Sequence, residues 1–275
     1  MARGIVIALL ALAVVRLAAA GPPPDAVTIL REAEKLRNPE IDFTVDFKLA
    51  IINPRSSWKE RTAHYTLIAH GKDHSLVLMR EPPNLYPGLM LIAEGVYWLL
   101  LPRSNHAFQL SPRHILNGDV SNGDLTRGNL QALYATQFDG EERIDGEDCW
   151  RLELTRTGEL GLYPRIRCWI TKQQFRPLKF EYIGETGTLQ RVARYEDYRD
   201  GPTGVRAMRV VVDDPVAEQQ TVMTFTNLRK LDASAMAFTR EALPALRNAA
   251  LAKWEADGVQ ARPEDILEAI RARNP

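Results

Sequence analysis

Between residues 41 and 228, short segments alternate apolar with polar residues, and this alternation restricts the fold more than any other feature of the chain. The first segment carries its apolar residues at every second position: Phe43, Val45, Phe47 and Leu49. Successive side chains of a β-strand point to opposite faces, so a period of two indicates a strand with one dry and one solvated face. A chain made of such segments is expected to form a sheet that buries one face.

Turn-forming residues separate these segments at short intervals. The turn signals lie at residues 71–73, 93–95, 139–140, 145–147, 157–159, 184–187 and 200–204. Ten or eleven short strands at this spacing favour an antiparallel barrel or a strongly curved sheet over a parallel α/β fold. No linker rich in Pro, Gly or Ser divides the chain, so we expect one mainly β domain with a few helices.

Helices are predicted on both sides of the β region. Asp25 can cap a first helix that ends at Arg37 before Asn38-Pro39. Its apolar stripe at helical spacing is Val27, Leu30, Ala33 and Leu36, with Ile29 beside it. After the potential cap Thr239, residues 241–273 are predicted to be mainly helical and divided near Gly258. The apolar positions of this tail are Leu243, Leu246, Ala250, Trp254, Ile266 and Ile270.

The N-terminus has the pattern of a secretory signal peptide. Arg3 precedes an apolar run from Ile5 to Val15, and Ala18, Ala19 and Ala20 provide a cleavage site. We expect residues 1–20 to be removed on export to the periplasm. A retained anchor is the alternative, although the run is shorter than the roughly 20 residues that cross a bilayer.

The charge balance excludes binding that depends on a large excess of positive or negative charge on the protein. Lysine and arginine number 35, as do aspartate and glutamate, so the net charge is zero. Nucleic acid binding relies on an excess of positive charge, and none is available here. We expect a monomer whose binding depends on shape and on apolar burial.

The two cysteines, Cys149 and Cys168, flank a predicted hairpin. Matching the apolar faces of its two strands places their side chains on opposite faces, where no disulfide can close. We therefore expect two free thiols. A local bulge would allow the other outcome.

A polar insertion at residues 112–129 interrupts the strands and is expected to form part of a lid. Its side chains Asn117, Asp119, Asn122 and Asp124 could suit Ca²⁺, but they lack the full ligand series of a calcium loop. We expect a structured turn instead. 

Three histidines, His64, His70 and His74, lie near a predicted hairpin in which His70 could face His74. Two histidines without further ligands do not make a metal site. No HExxH, GxSxG or phosphate-binding loop is present. We expect no catalytic residues, no metal and no cofactor.

Alternation also marks a face that could hold an apolar guest. The residues selected on this basis are Phe43, Val45, Phe47, Leu49, Trp98, Leu100, Phe180, Tyr182, Met223 and Phe225. Aromatic and methionine side chains suit a loosely specified apolar ligand. The alternative is that these residues simply fill a core. The residues alone leave both interpretations open.

Several segments in residues 38–242 resemble one known family. They are REPP at 80–83, GLMLI at 88–92, YWLLLP at 97–102, QLSP at 109–112, LNGDVSNGDLTRGN at 116–129, PRIRCWITKQQFRPLKFEY at 164–182 and ARYEDYR at 193–199. In this order they resemble the outer-membrane lipoprotein-sorting proteins (LolA/LolB-like), in particular the branch found beside RND-type exporters. The resemblance implies a half-open antiparallel barrel of about eleven strands with a helical lid.

The resemblance also carries expectations about function. It implies a periplasmic carrier, not an enzyme, that takes lipid or acylated protein as cargo and works with an RND-type inner-membrane transporter. It favours the interpretation of the selected face as lipid-binding. An adaptor or sensor that binds a membrane-protein partner is the alternative. The expected organisation is a signal peptide (1–20), a half-barrel domain (21–243) and a helical extension (244–275).

Overall fold

The structure is a computed structural model, and it describes residues 24–111, 115–117, 120–121, 130–159, 161–233 and 235–272. The described strands are β1 (Phe43–Ile52), β2 (Glu60–His70), β3 (His74–Glu81), β4 (Leu89–Ala93), β5 (Val96–Leu100), β6 (Phe108–Leu110), β7 (Ile115–Asn117), β8 (Val120–Ser121), β9 (Tyr134–Ile144), β10 (Glu147–Arg156), β11 (Arg165–Thr171), β12 (Pro177–Ile183), β13 (Leu189–Arg199), β14 (Arg206–Asp214) and β15 (Gln219–Lys230). The α-helices are α1 (Ala26–Arg37), α2 (Leu130–Leu133), α3 (Leu243–Asp257) and α4 (Pro263–Arg271). None of the described helices is long and apolar enough to cross a membrane.

Thirteen strands form one open antiparallel sheet. Its order is β6-β5-β4-β3-β2-β1-β15-β14-β13-β12-β11-β10-β9, so two meanders of neighbouring strands join where β1 pairs with β15. The predicted mainly β, half-open architecture is confirmed. The strand number exceeds the expected eleven, and β7 with β8 forms a separate small hairpin inside the polar insertion.

One predicted turn is instead a bulge within a strand. Residues 139–140 lie inside β9, where the pairing with β10 shifts by one residue and Gly140 adopts φ +121°. The side chain of Arg151 donates hydrogen bonds to the carboxylate and to the carbonyl oxygen of Asp139, both at 2.8 Å. A glycine in a strand often marks such an irregularity, and here the turn prediction was wrong because one extra residue was accommodated without ending the strand.

The cross-strand register divides the apolar residues between two faces. We call the face that carries Phe43, Val45, Phe47 and Leu49 of β1 the inner face. Phe47 is opposite Tyr65 of β2 and Phe225 of β15, and the same parity continues through Val210 and Tyr195. Residues of this face make up two of the three buried apolar clusters.

The helices α3 and α4 cover the outer face of strands β2 to β5. Six large side chains of these strands lie beneath the two helices: Ile68, Leu76, Leu78, Leu89, Leu91 and Leu100. The helices contribute Leu243, Leu246, Ile266, Leu267 and Ile270 to the same cluster. Gly258 ends α3 in the left-handed conformation, φ +66°, so the predicted division of the tail is confirmed. Trp254 is 45% exposed, although its ring lies 5.6 Å from that of Tyr86.

Both cysteines are free and buried, as the register argument predicted. Cys149 pairs with Thr171 and Cys168 with Leu152, which places the two sulfurs on opposite faces. Burial, followed by the nearby Glu147, raises the pKa of Cys149 to about 11, and burial raises that of Cys168 further.

We expect neither cysteine to react in the folded protein. Only the thiolate attacks a disulfide reagent, and a pKa near 11 leaves about one thiolate in a thousand at pH 8. An aromatic disulfide reagent should therefore label no thiol in native buffer and two thiols in denaturant. Rapid labelling of the native protein would contradict the buried, free arrangement.

Candidate functional site

Helix α1 lies against the inner face of the second meander. Asp25 caps it by accepting a hydrogen bond from the Thr28 amide at 2.9 Å, as the sequence predicted. Its buried face consists of Ile29, Leu30, Ala33 and Glu34. The buried face is therefore rotated around the helix axis relative to the predicted apolar stripe, because Val27 is 49% exposed while Ile29 is fully buried.

The carboxylate of Glu34 ties α1 to the start of α2. It accepts hydrogen bonds from the Leu130 amide at 2.5 Å and from the Gln131 side chain at 2.8 Å. Glu34 is only 8% exposed, so these bonds replace the water that a buried carboxylate would otherwise need. The contact joins the helix to the segment that follows the polar insertion.

A cavity opens on the inner face beside the C-terminal end of α1. Val77 of β3 and Tyr182 of β12 both line it. These strands are six strand spacings apart in the sheet, about 29 Å if it were flat. Side chains from both can meet around one cavity only because the sheet is strongly curved.

The cavity is lined by both apolar and polar residues. The main apolar residues are Phe47, Leu67, Val77, Val210, Met223 and Phe225. The polar residues are Arg37, Asn38, Tyr182, Tyr195, Tyr198 and Arg206. The cavity volume is about 100 Å³, which is well below the roughly 300 Å³ at which small-molecule pockets begin. With α1 in place, the cavity is too small for a long acyl chain.

Arg37, the last residue of α1, places its guanidinium group in this wall. It lies 5.0 Å above the ring of Phe180 and 5.5 Å from that of Tyr195. Its Nη1 is shielded from solvent and has no hydrogen-bond partner within the described part of the chain. Burial acts to lower the pKa of Arg37, but Tyr195, Tyr182 and Glu34 outweigh it and the net shift is upward. The group therefore stays positively charged.

Arg206 adds a second guanidinium to the same cavity. It is 9% exposed and lies 5.0 Å from the ring of Phe43 and 5.3 Å from that of Phe225. Each arginine is thus supported by aromatic rings of the inner face. Cation–π contacts of this kind hold a guanidinium in place without consuming its hydrogen-bond donors.

The residues selected from the sequence occupy three different positions. Phe47, Tyr182, Met223 and Phe225 line the cavity. Phe43, Val45, Leu49 and Phe180 lie on the same face but are fully buried in the packed core.

Trp98 and Leu100 do not share this face, which corrects their expected placement. Trp98 pairs with Leu91 and Leu100 with Leu89, and these residues lie on the outer face beneath α3 and α4. Neither side chain lines the inner cavity. 

The predicted lid loop lies largely outside the described residues. Asp119, Asn122 and Asp124 are not among them, and the side chain of Asn117 is not described either. The part of the chain that the structure describes contains no group of three potential metal ligands. His70 pairs with His74 as predicted, but its Nδ1 lies 2.9 Å from the Asp42 carboxylate.

An open antiparallel sheet that curves around one helix and a cavity on its inner face defines a LolA-like half-barrel. Comparison with known proteins agrees with this class. The sequence model of a family described as "uncharacterized protein" matches residues 71–245, well over half of the chain. The chain belongs to this LolA-like family. None of the proteins with a curated description matches it significantly.

Solved structures share the fold. A LolA superfamily protein from Nitrosomonas europaea is 27% identical with a TM-score of 0.73, and the match covers 80% of this chain and 100% of that one. A DUF1329 family protein from Desulfovibrio piger is 21% identical with a TM-score of 0.71, over 80% and 100% of the two chains. An outer membrane lipoprotein-sorting protein domain from Vibrio parahaemolyticus is 19% identical with a TM-score of 0.70, over 79% and 97%.

Proposed function

We propose that the protein is a periplasmic carrier that holds the acyl chain of a lipid or lipoprotein against the inner face of the half-barrel. One observation carries this proposal: helix α1 covers a continuous apolar inner face that extends into the cavity. A carrier needs no reacting groups, and we propose a binding protein and not an enzyme. Delivery to or from an RND-type inner-membrane transporter, which the sequence resemblance implies, is part of the proposal.

In this proposal α1 acts as a lid that the cargo displaces. The cavity of about 100 Å³ is too small for the cargo, but the apolar face beneath α1 adjoins it. That face carries Leu152, Leu154, Ile166, Ile170 and Phe180. Movement of α1 would expose this row of apolar side chains to an acyl chain.

The energies involved permit such an exchange. Docking of α1 buries Ile29, Leu30 and Ala33, which is worth about 4 to 7 kcal/mol before the cost of ordering the helix. An acyl chain with a dozen buried methylenes gains about 10 kcal/mol at about 0.8 kcal/mol each. The cargo can therefore replace the helix without assistance from charge.

Replacing Glu34 with alanine is expected to strengthen the apparent binding of an uncharged apolar ligand. The variant loses the hydrogen bonds between α1 and α2, a loss of about 1.5 to 3 kcal/mol for a buried charged acceptor. If binding requires α1 to undock, a larger open fraction raises the apparent affinity about tenfold or more. Titration of the delipidated protein with an environment-sensitive naphthylamine dye measures the change.

Glu32→Ala is the matched control on the same helix. Glu32 makes ion pairs at the helix surface with Lys35 and Arg31. Such pairs contribute little to stability, so dye affinity should stay within about twofold of the wild type. Native mass spectrometry of protein expressed in a diderm host should also detect bound lipid. The carrier proposal fails if the wild type neither retains lipid nor takes up dye.

A further inference from the structure

We infer that the cargo is a free lipid with an anionic head group, a carboxylate or a phosphate, which Arg37 and Arg206 bind in the cavity beside the C-terminal end of α1. This inference rests on the proposed function and specifies the cargo. It separates a free anionic lipid from the acyl anchor of a lipoprotein, whose acyl groups are attached through uncharged esters and amides.

The first argument is the charge of the cavity wall. Among the described residues that line it, two are arginines and none is acidic. Burying two cations is costly unless something compensates for the lost water. The aromatic rings beneath them compensate in part, but an anion would do so more completely.

The second argument is the unused donor of Arg37. Its Nη1 points into a shielded space and has no hydrogen-bond partner among the residues described. Buried polar groups in folded proteins are nearly always hydrogen-bonded, so an unpartnered buried donor calls for an explanation. A guanidinium offers paired N–H donors that match two oxygens of a carboxylate or phosphate.

The third argument is that the nearby acidic group is already engaged. Glu34 lies one helical turn before Arg37, but its oxygens accept hydrogen bonds from Leu130 and Gln131 at the start of α2. Among the described residues it makes no hydrogen bond to Arg37 and acts on the guanidinium only through its charge. The charge of Arg37 is therefore available to a ligand.

The arrangement also gives the ligand a direction. The two arginines line the cavity beside the C-terminal end of α1, and this cavity adjoins the apolar face that α1 covers. An anionic lipid would place its head group at the end of α1 and its chain along the apolar face that α1 covers. A neutral lipid would leave Nη1 of Arg37 without an acceptor.

The test is competition against the naphthylamine dye at pH 8 with ligands of equal chain length. A long-chain fatty acid and a monoacyl phosphate are compared with the corresponding fatty alcohol and with a triacylated lipopeptide. We expect at least one of the anionic ligands to bind about ten- to a hundredfold more tightly than the alcohol. Preference for either anion supports the inference, and comparison of the two shows which head group is preferred.

Variants of α1 then assign the preference to Arg37. Arg37→Met should lose most of the preference for the anion while keeping its affinity for the alcohol, and Arg37→Lys should restore part of it. Arg31→Met is the control, because Arg31 is an exposed cation on the same helix, and it should leave the preference unchanged.

The inference is overturned if the alcohol or the lipopeptide binds as tightly as both anionic ligands, or if Arg37→Met leaves the preference intact. In either case the carrier function stands, because the chain is still bound. If no ligand and no dye binds to the wild type, the proposed function itself fails.

Discussion

A chain that ends at Ala242 is expected not to fold into a stable monomer. Deleting α3 and α4 uncovers six large side chains on the outer face of the sheet, among them Leu76, Leu89 and Leu100. Exposing each costs about 1.5 to 3 kcal/mol, so the total is comparable with the 5 to 15 kcal/mol that stabilises a whole domain. The tail therefore contributes to the main core.

Polar contacts strengthen this attachment. The Tyr86 hydroxyl accepts a hydrogen bond from the Ala261 amide at 2.9 Å, and Arg80 donates to the Ala261 carbonyl oxygen at 2.6 Å. Removing the tail would leave both side chains without these partners. Loss of partner binding in a truncated protein would consequently reveal nothing about a docking role for the tail.

Urea unfolding followed by circular dichroism tests the expectation, with dye binding as a measure of exposed apolar surface. Leu246→Ala offers a milder version, because Leu246 is a fully buried residue of α3, and it should cost about 2 to 5 kcal/mol. Val259→Ala is the control, since Val259 is 58% exposed. A truncated chain with unchanged cooperative unfolding would show that the helices are dispensable.

Replacing Asp42 with alanine is expected to cost about 2 to 4 kcal/mol in the free energy of unfolding. Its carboxylate accepts hydrogen bonds from the Gly71 amide at 2.9 Å and the Ala233 amide at 3.1 Å, and it contacts His70. These bonds join the start of β1, the turn between β2 and β3, and the segment that leads to α3. The variant leaves two backbone amides without their acceptor.

The contribution of Asp42 should depend on pH. Partial burial acts to raise its pKa, but the bonds from Gly71, His70 and Ala233 together hold the pKa below its ordinary value. The ionised form is therefore favoured in the folded state. Its stabilising effect is fully present above the unfolded pKa of about 4 and is lost as the pH falls through the lower folded pKa.

Unfolding of the wild type and of Asp42→Asn between pH 7 and pH 2 measures this dependence. The difference in stability should be constant above about pH 5 and should shrink below about pH 4. Asp73→Ala is the control, because Asp73 is an exposed carboxylate on the same turn, and it should change stability by less than about 0.5 kcal/mol. A difference that persists at pH 2 would show that the charge of Asp42 is not what stabilises the fold.

The sequence predicted individual strands better than it predicted how their faces align. Alternation in β1 identified Phe43 to Leu49 as one face because polar residues occupy the positions between them. Trp98 and Leu100 were assigned to that face wrongly, because β4 between β3 and β5 is apolar at every position, as its sequence LMLIA shows. A strand buried on both faces carries no alternation, so the parity of β5 relative to β1 could not be followed across it.

The charged part of the cavity was missed for a different reason. Arg37 looked like an ordinary cation at a helix C-terminus, where the helix dipole favours it. A signal was nevertheless present, because Leu30, Ala33, Glu34 and Arg37 recur at the spacing of one helix face, and this face is the one that packs. The position of Arg206 depends on the curvature of the sheet, which no local pattern encodes.

The seam between the two meanders has a consequence for the order of folding. Each meander is a series of neighbouring hairpins, so its contacts are local and form early with little loss of loop entropy. The pairing of β1 with β15 joins segments from nearly opposite ends of the chain. During synthesis one edge of β1 therefore stays unpaired until β15, the last strand, has been made. We expect the two meanders to fold fast and the pairing of β1 with β15 to form slowly. The state in which this pairing has not yet formed is the one most prone to aggregation.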